Sequence, residues 1–117
     1  MTDNINHPTH YTDRNIGYEC ITLTQYQYFC TGNAIKYLWR YKLKRNPLED
    51  LMKARWYARR AAARHEQTYT TNTCGIILHK LIKSTDGLER VVWHSIHTSD
   101  WHTAIKALTQ MIEKESE

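Results

Sequence analysis

The chain has 117 residues, of which 41% are hydrophobic, and its formal net charge is +4. This length and composition predict one globular domain with a single core. No apolar run approaches the roughly 20 residues that a membrane-spanning helix needs, so we expect no membrane partner. The N-terminal residues lack the basic start and apolar core of a signal peptide, and the three cysteines form no CxxC pair. We therefore expect a cytoplasmic protein.

The positive charge is concentrated in residues 36–64. This segment contains ten Lys or Arg and two acids. Residues 1–35 and residues 65–117 each have a formal net charge of −2. A concentrated positive field attracts anions, but charge alone does not identify the anion.

In chain order, the first half of the sequence predicts an extended lead-in followed by helices. Residues 19–30 fit either a strand or a helix, and we favour a helix that ends near Gly32. A second helix is predicted over about 33–44. A third is predicted over 47–66, because Asn46, Pro47 and Glu49 form a helix-start signal. The short connection makes the second and third helices antiparallel neighbours.

The second half of the sequence predicts further helices after a polar loop. Apolar spacing indicates a helix that ends before Asp86, then a helix or a strand over 88–96. A last helix follows Ser99, which we assign as its N-cap. The predicted fold class is therefore mainly α: a small helical domain with an antiparallel helix pair (about 33–44 and 47–66) plus C-terminal helices.

Cations and aromatic residues alternate at helical spacing over residues 32–44. Lys36, Arg40 and Lys44 recur every fourth residue and form one basic stripe on a helix, with Tyr37 beside it. Positive charge next to flat aromatic surfaces suits a nucleotide or a nucleic acid. An amphipathic helix with a solvated basic face is the alternative interpretation.

Asp50, Lys53 and Tyr57 share one face of the third predicted helix. In a functional interpretation, Lys53 is a second phosphate clamp, and Asp50 orients it or binds magnesium. In the alternative interpretation, Asp50 and Lys53 form an ordinary helix-surface ion pair, which stabilises a helix by about 0.3 kcal/mol.

Histidines form two groups. His7 and His10 lie beside Tyr11 in a predicted loop, where a histidine can bind a metal, transfer protons or contact a phosphate. Two histidines fall short of a usual zinc site, so we predict no metal site there. We interpret the second group, at positions 94, 97 and 102, as polar residues on a helical surface. The chain also lacks a GxxxxGK[ST] phosphate loop, so any kinase activity must use side chains.

Four sequence blocks occur in the order of a known family: HPxHY at 7–11, EC at 19–20, GNAIKYLWRYxxK at 32–44 and DLxKAxWY at 50–57. They resemble small bacteriophage proteins of formerly unknown function that are often labelled nucleotide kinases. The resemblance covers residues 7 to about 60. One difference precedes the EC block, where family members often have a glycine pair and this chain has a single Gly17.

The resemblance implies a bacteriophage protein that acts on deoxynucleoside monophosphates in the host cytoplasm, with ATP and Mg²⁺ as cofactors if it is a kinase. Residues 1–67 would be the motif region, and residues 68–117 a C-terminal helical extension of the same domain. The candidate catalytic residues are His10 and Asp50, and the candidate substrate- and phosphate-binding residues are His7, Tyr11, Asn33, Lys36, Tyr37, Arg40, Lys44, Lys53 and Tyr57.

Two functions stay open. The first is a nucleotide-binding enzyme that transfers the γ-phosphate of ATP, in which Lys36, Arg40 and Lys53 neutralise phosphate charge and Tyr37 or Tyr11 stacks on the base. The second is a non-catalytic phage accessory protein that binds nucleic acid, sequesters nucleotides or inhibits a host protein. In either case we expect a homo-oligomer, because a site built across subunits would explain the small number of acids.

Overall fold

The computed structural model describes residues 14–43 and 45–117. Within these two ranges the chain forms six α-helices and no strand. The prediction of a mainly helical domain is confirmed, and residues 88–96 belong to a helix rather than a strand. Numbered in chain order, the helices are α1 (Cys20–Thr24), α2 (Phe29–Arg40), α3 (Pro47–Ala63), α4 (Thr73–Lys83), α5 (Gly87–His97) and α6 (Trp101–Glu115).

The helices share one hydrophobic core. α3 packs against its predicted antiparallel partner α2 and also against α6, while α5 packs on both α4 and α6. The three cysteines are free thiols buried in this core. None of the described helices combines the length and apolar composition that crossing a bilayer requires. The largest buried side chains come from all six helices and include Leu23, Trp39, Leu51, Leu78, Trp93 and Leu108.

Local signals explain where α3 begins. The side-chain oxygen of Asn46 accepts a hydrogen bond from the backbone N–H of Glu49 (3.1 Å), and Pro47 occupies the first helical position. The side-chain amide of Asn46 also donates to the Glu49 carboxylate (3.0 Å). The predicted start of α3 is therefore confirmed, although the helix ends at Ala63 rather than at residue 66.

The boundary between α1 and α2 differs from the prediction. The sequence predicts a helix end at Gly32, but this glycine lies inside α2, which begins at Phe29 and ends at Arg40. A β-carbon at position 32 would lie 3.3 Å from the carbonyl oxygen of Thr24 in α1. Gly32 therefore permits the close approach of α1 to α2 instead of terminating a helix.

The N-cap of α6 also differs from the prediction. Asp100 caps this helix, because its carboxylate accepts hydrogen bonds from the backbone N–H (3.2 Å) and the hydroxyl (2.7 Å) of Thr103. Ser99 has a positive φ of 58°, and its hydroxyl accepts a hydrogen bond from the Thr68 N–H (2.9 Å). The expected cap residue instead holds the loop that precedes α4.

A buried ion pair joins the segment before α1 to α5. The guanidinium of Arg14 donates to the Glu89 carboxylate at 2.6 Å. It also donates to the carbonyl oxygens of Leu38 and Trp39, at 2.7 and 2.8 Å, near the end of α2. The side chains of Arg14 and Glu89 are only 6% and 4% exposed. Because both charges are removed from water, each depends on the other for compensation.

Glu89 accepts hydrogen bonds from three further side chains. These donors are the Tyr41 hydroxyl (3.1 Å), the Lys42 ammonium (2.7 Å) and the Trp93 indole (3.0 Å). Burial by itself would raise the pKa of Glu89, but the Arg14 charge and the surrounding donors outweigh burial and lower this pKa. Burial and the Glu89 charge raise the pKa of Tyr41, which keeps its hydroxyl protonated and able to donate.

A second buried carboxylate, Glu66, caps the N-terminal end of α2. It accepts hydrogen bonds from the N–H (2.8 Å) and the hydroxyl (2.7 Å) of Thr31. Burial by itself would raise the pKa of Glu66, but hydrogen bonds from Thr31 and Cys30 outweigh burial and lower it. Since Glu66 follows α3, this contact holds the start of α2 against the end of α3.

The substitution Glu89→Gln should lower the free energy of unfolding by about 3 kcal/mol, because it leaves the buried Arg14 charge without a countercharge. Urea denaturation followed by circular dichroism measures this change. The matched control, Lys42→Met, removes a partner of the same carboxylate whose side chain is 54% exposed, and it should cost less than about 1 kcal/mol. Equal losses in the two variants would contradict the dominant role of Arg14.

The stability of the protein should fall as the pH drops below about 4.5, the ordinary pKa of glutamate. Glu66 and Glu89 both have folded-state pKa values below this value, so their ionised forms stabilise the fold above it and protonation removes that contribution. Thermal denaturation at a series of pH values measures the effect. Between about pH 5 and pH 3, the unfolding free energy of Glu66→Gln should change less than that of the wild type. A pH dependence identical to that of the wild type would count against Glu66.

Candidate functional site

Cations of α2 and α3 meet around the ring of Tyr37. The Lys36 ammonium lies 4.5 Å from the ring centre, the guanidinium carbon of Arg40 lies 5.1 Å away, and the Lys53 ammonium lies 5.4 Å away. Lys53 comes from α3, whereas the other two cations come from α2, so the packing of the two helices assembles this group. We call Lys36, Arg40 and Lys53 the cation cluster.

Tyr57 brings a second ring to the site. It stacks on Tyr37 with the ring centres 5.9 Å apart and an angle of 10° between the planes. Phe29 and Trp56 contact Tyr57 edge-on, with centres 6.1 and 4.9 Å away. The predicted residues Lys36, Tyr37, Arg40, Lys53 and Tyr57 therefore lie together on one surface that combines cations and aromatic rings.

Large apolar side chains of this surface are exposed to solvent. Phe29 is 73% exposed, Trp56 54% and Met52 49%. Clustered exposure of this kind makes the surface a candidate contact site for a ligand or a partner. None of these three residues was a candidate from the sequence. The spacing of four residues between Met52 and Trp56, which places both on one helix face, was the available signal.

A groove of about 650 Å³, which we call groove A, lies beside the cation cluster. This volume is typical of sites for small molecules. Most of its walls are aromatic or aliphatic, and its charged residues are Lys53 and Glu49. The residues that line groove A are Tyr37, Asn46, Leu48, Glu49, Met52, Lys53, Trp56 and Tyr57.

Asp50 and Glu49, the two acids at this site, each pair with a cation. Asp50 is 3% exposed and accepts a hydrogen bond from Nε of Arg40 at 3.3 Å. The Glu49 carboxylate lies 2.8 Å from the Lys53 ammonium, and this hydrogen bond raises the pKa of Lys53. Asp50 is therefore placed to hold Arg40 in position, and Lys53 is held in its charged form.

Among the candidates that the structure describes, Asn33, Lys36, Arg40 and Asp50 do not line groove A. Asn33 donates from its side-chain amide to the carbonyl oxygen of Phe29 (2.8 Å) within α2. Together with Lys36, it lines a separate depression of about 220 Å³. Four candidates lie outside the described residues, and their roles stay predictions: His7, His10, Tyr11 and Lys44.

In the second histidine group, His97 of α5 contacts α4, whereas His102 lies in α6. The ring of His97 stacks on the ring of His79, with centres 5.9 Å apart and an angle of 18°. Burial and then the charges of His79 and His94 lower the pKa of His97. Across residues 14–43 and 45–117, no group of three or more His, Cys, Asp or Glu is placed to hold a metal ion.

The contact between Tyr37 and Tyr57 should be measurable as a coupling energy. A double-mutant cycle with leucine at both positions should give about 0.5–1.5 kcal/mol in the free energy of unfolding. Urea denaturation of the four proteins provides this value. The control cycle combines Tyr37 with Tyr69, whose ring contacts Tyr26 instead, and its coupling should be near zero. A coupling near zero in both cycles would refute the stack.

Comparison with known proteins found a family match over the segment that contains this site. Residues 5–59 match the model of a family described as a protein of unknown function (DUF3310). No curated protein and no solved structure gave a significant match to the chain. The matched segment contains all of the candidate residues and the whole lining of groove A. The chain is thus similar, over residues 5–59, to a family whose description names no activity.

Proposed function

We propose that the protein binds nucleotides at groove A. The observation that carries this proposal is the convergence of three cations on the ring of Tyr37, beside a groove with mainly apolar walls. In the proposed complex the cation cluster binds the phosphate group. The aromatic and aliphatic walls of groove A hold the base, since every base has a flat π-face that stacks on aromatic rings.

The charges around the site support phosphate binding. Within the described part of the chain, Lys36 forms no salt bridge, and its ammonium lies over the Tyr37 ring. Asp50 fixes Arg40 from the buried side of the helix pair, which reduces the cost of ordering this long side chain when a ligand binds. Charge-assisted hydrogen bonds from such groups to phosphate are stronger than neutral ones.

The same geometry favours binding over metal-dependent transfer. Kinases that use ATP neutralise the phosphates with Mg²⁺, which carboxylates help to hold. Among the described residues, Asp50 is buried on Arg40 and Glu49 pairs with Lys53, so this pair of acids does not fit a magnesium site. We therefore propose that the protein binds nucleotides without transferring phosphate.

The proposed setting is the cytoplasm of a bacteriophage host, which is what the resemblance to phage proteins implies. An accessory protein that sequesters nucleotides there needs affinity but no catalytic groups. A homo-oligomer is part of this proposal, and multi-angle light scattering of the full chain tests it.

Lys36→Ala and Lys53→Ala should each weaken binding of a deoxynucleoside monophosphate by about tenfold or more, since each removes a charge-assisted contact. Isothermal titration calorimetry with the full chain measures both affinities. The matched control is Lys106→Ala, which removes an exposed lysine of α6 that does not line groove A, and it should bind like the wild type.

Thermal denaturation with and without nucleotide provides the primary test of binding. A ligand at 100 times its Kd stabilises the folded state by about 2.7 kcal/mol, so Tm should rise with the nucleotide that binds. If no mononucleotide among deoxynucleoside monophosphates and nucleoside triphosphates raises Tm, the proposal is wrong. Incubation with ATP, Mg²⁺ and each monophosphate tests turnover separately.

A further inference from the structure

A second groove, which we call groove B, adjoins groove A. Its volume is about 490 Å³, and Trp56 and Tyr57 line both grooves. This aromatic pair therefore forms the wall that the two grooves share. The residues that line groove B are Tyr28, Phe29, Cys30, Trp56, Tyr57, Arg60, Arg64 and Glu66.

Cations of α3 lie on both sides of the shared wall. The guanidinium carbon of Arg60 lies 5.2 Å from the centre of the Trp56 ring, and Arg60 lines groove B. Lys53, which lines groove A, precedes Arg60 by seven residues, which corresponds to about 10 Å along the axis of an α-helix. One face of α3 therefore presents a cation, an aromatic pair and a second cation in succession.

This succession suits a chain of nucleotides better than a single nucleotide. Proteins that bind single strands combine a basic groove for the backbone with aromatic side chains on which successive bases stack. Phe29 and Trp56 provide exposed rings at the two grooves. Residues 36–64, with ten Lys or Arg and two acids, supply a positive field that complements a polyanion.

We propose that grooves A and B form one continuous site for a single-stranded oligonucleotide, with successive bases on the two sides of the Trp56–Tyr57 wall. This inference rests on the proposed nucleotide binding and extends the ligand to a chain of at least two nucleotides. Lys36 and Lys53 contact one phosphate group, and Arg60 contacts another. Glu66 stays bonded to Thr31 and keeps the floor of groove B in place.

Oligonucleotides of increasing length test whether the site binds a chain of nucleotides rather than one nucleotide. Fluorescence anisotropy with labelled oligothymidylates of about one to eight nucleotides covers the range from one groove to both grooves. The Kd should become at least about tenfold tighter between the mononucleotide and the tetranucleotide, and oligonucleotide binding should weaken steeply as salt increases.

Two arginine variants make the test specific. Arg60→Ala should weaken binding of the tetranucleotide by about tenfold and should leave binding of the mononucleotide unchanged, because Arg60 lines groove B alone. Arg59→Ala is the matched control. It removes the same charge from the neighbouring position of α3, where the exposed side chain lines neither groove, and both ligands should bind as they do to the wild type.

Trp56 also serves as an internal reporter. Of the four tryptophans, Trp39, Trp93 and Trp101 are 0–6% exposed, whereas Trp56 is 54% exposed. Bound tetranucleotide should quench the emission of Trp56 and protect it from acrylamide. Trp56→Phe should abolish this signal while preserving the circular dichroism spectrum, which shows that the fold is intact.

Each outcome separates the two proposals. Equal affinity for one and four nucleotides, with no effect of Arg60→Ala, would overturn the continuous site and leave nucleotide binding intact. If neither ligand binds, the proposed function also fails. Tighter binding of a duplex than of a single strand would overturn the inference. So would self-association of a chain that binds no oligonucleotide, if Trp56→Ala abolishes that self-association. Either result would assign this surface to a different occupant.

Discussion

The buried ion pair between Arg14 and Glu89 is the interaction on which the rest of the structure depends. Arg14 precedes α1, Glu89 lies in α5, and the Arg14 guanidinium also binds the carbonyl oxygens of Leu38 and Trp39 in α2. Three separate parts of the chain therefore meet at one buried pair of charges, and removing either charge would leave the other without compensation. This arrangement gives the C-terminal half a physical role, because it holds the end of the helix that carries Lys36 and Arg40.

The other end of α2 is also held by a carboxylate from a distant position. Glu66 accepts hydrogen bonds from the backbone N–H and the hydroxyl of Thr31, so it fills the place where a helix N-terminus would otherwise attract an anion. The proposed phosphate site on α2 is instead its side-chain surface, where its cations lie over the ring of Tyr37.

The surface of α2 and α3 combines paired charges with exposed apolar rings. Asp50 and Glu49 compensate Arg40 and Lys53, which limits repulsion among the cations and keeps them in place. By contrast, the rings of Phe29 and Trp56 are apolar and exposed to solvent, so they are not part of the hydrophobic core. Paired charges and exposed aromatic rings therefore lie side by side on one surface, and this combination is the basis of the proposed nucleotide site.

The sequence by itself determined the helical fold class, the start of α3 and the two groups of candidate residues, because helix capping and helical spacing depend on residues a few positions apart. Only the tertiary structure decided that Lys36, Arg40 and Lys53 surround one tyrosine ring. It also decided that Gly32 lies within a helix and that Asp50 faces Arg40. Glu66 and Glu89 gave no sequence signal, since their partners Thr31 and Arg14 lie 35 and 75 positions away. Contacts over such distances depend on how the helices pack, which local periodicity does not encode.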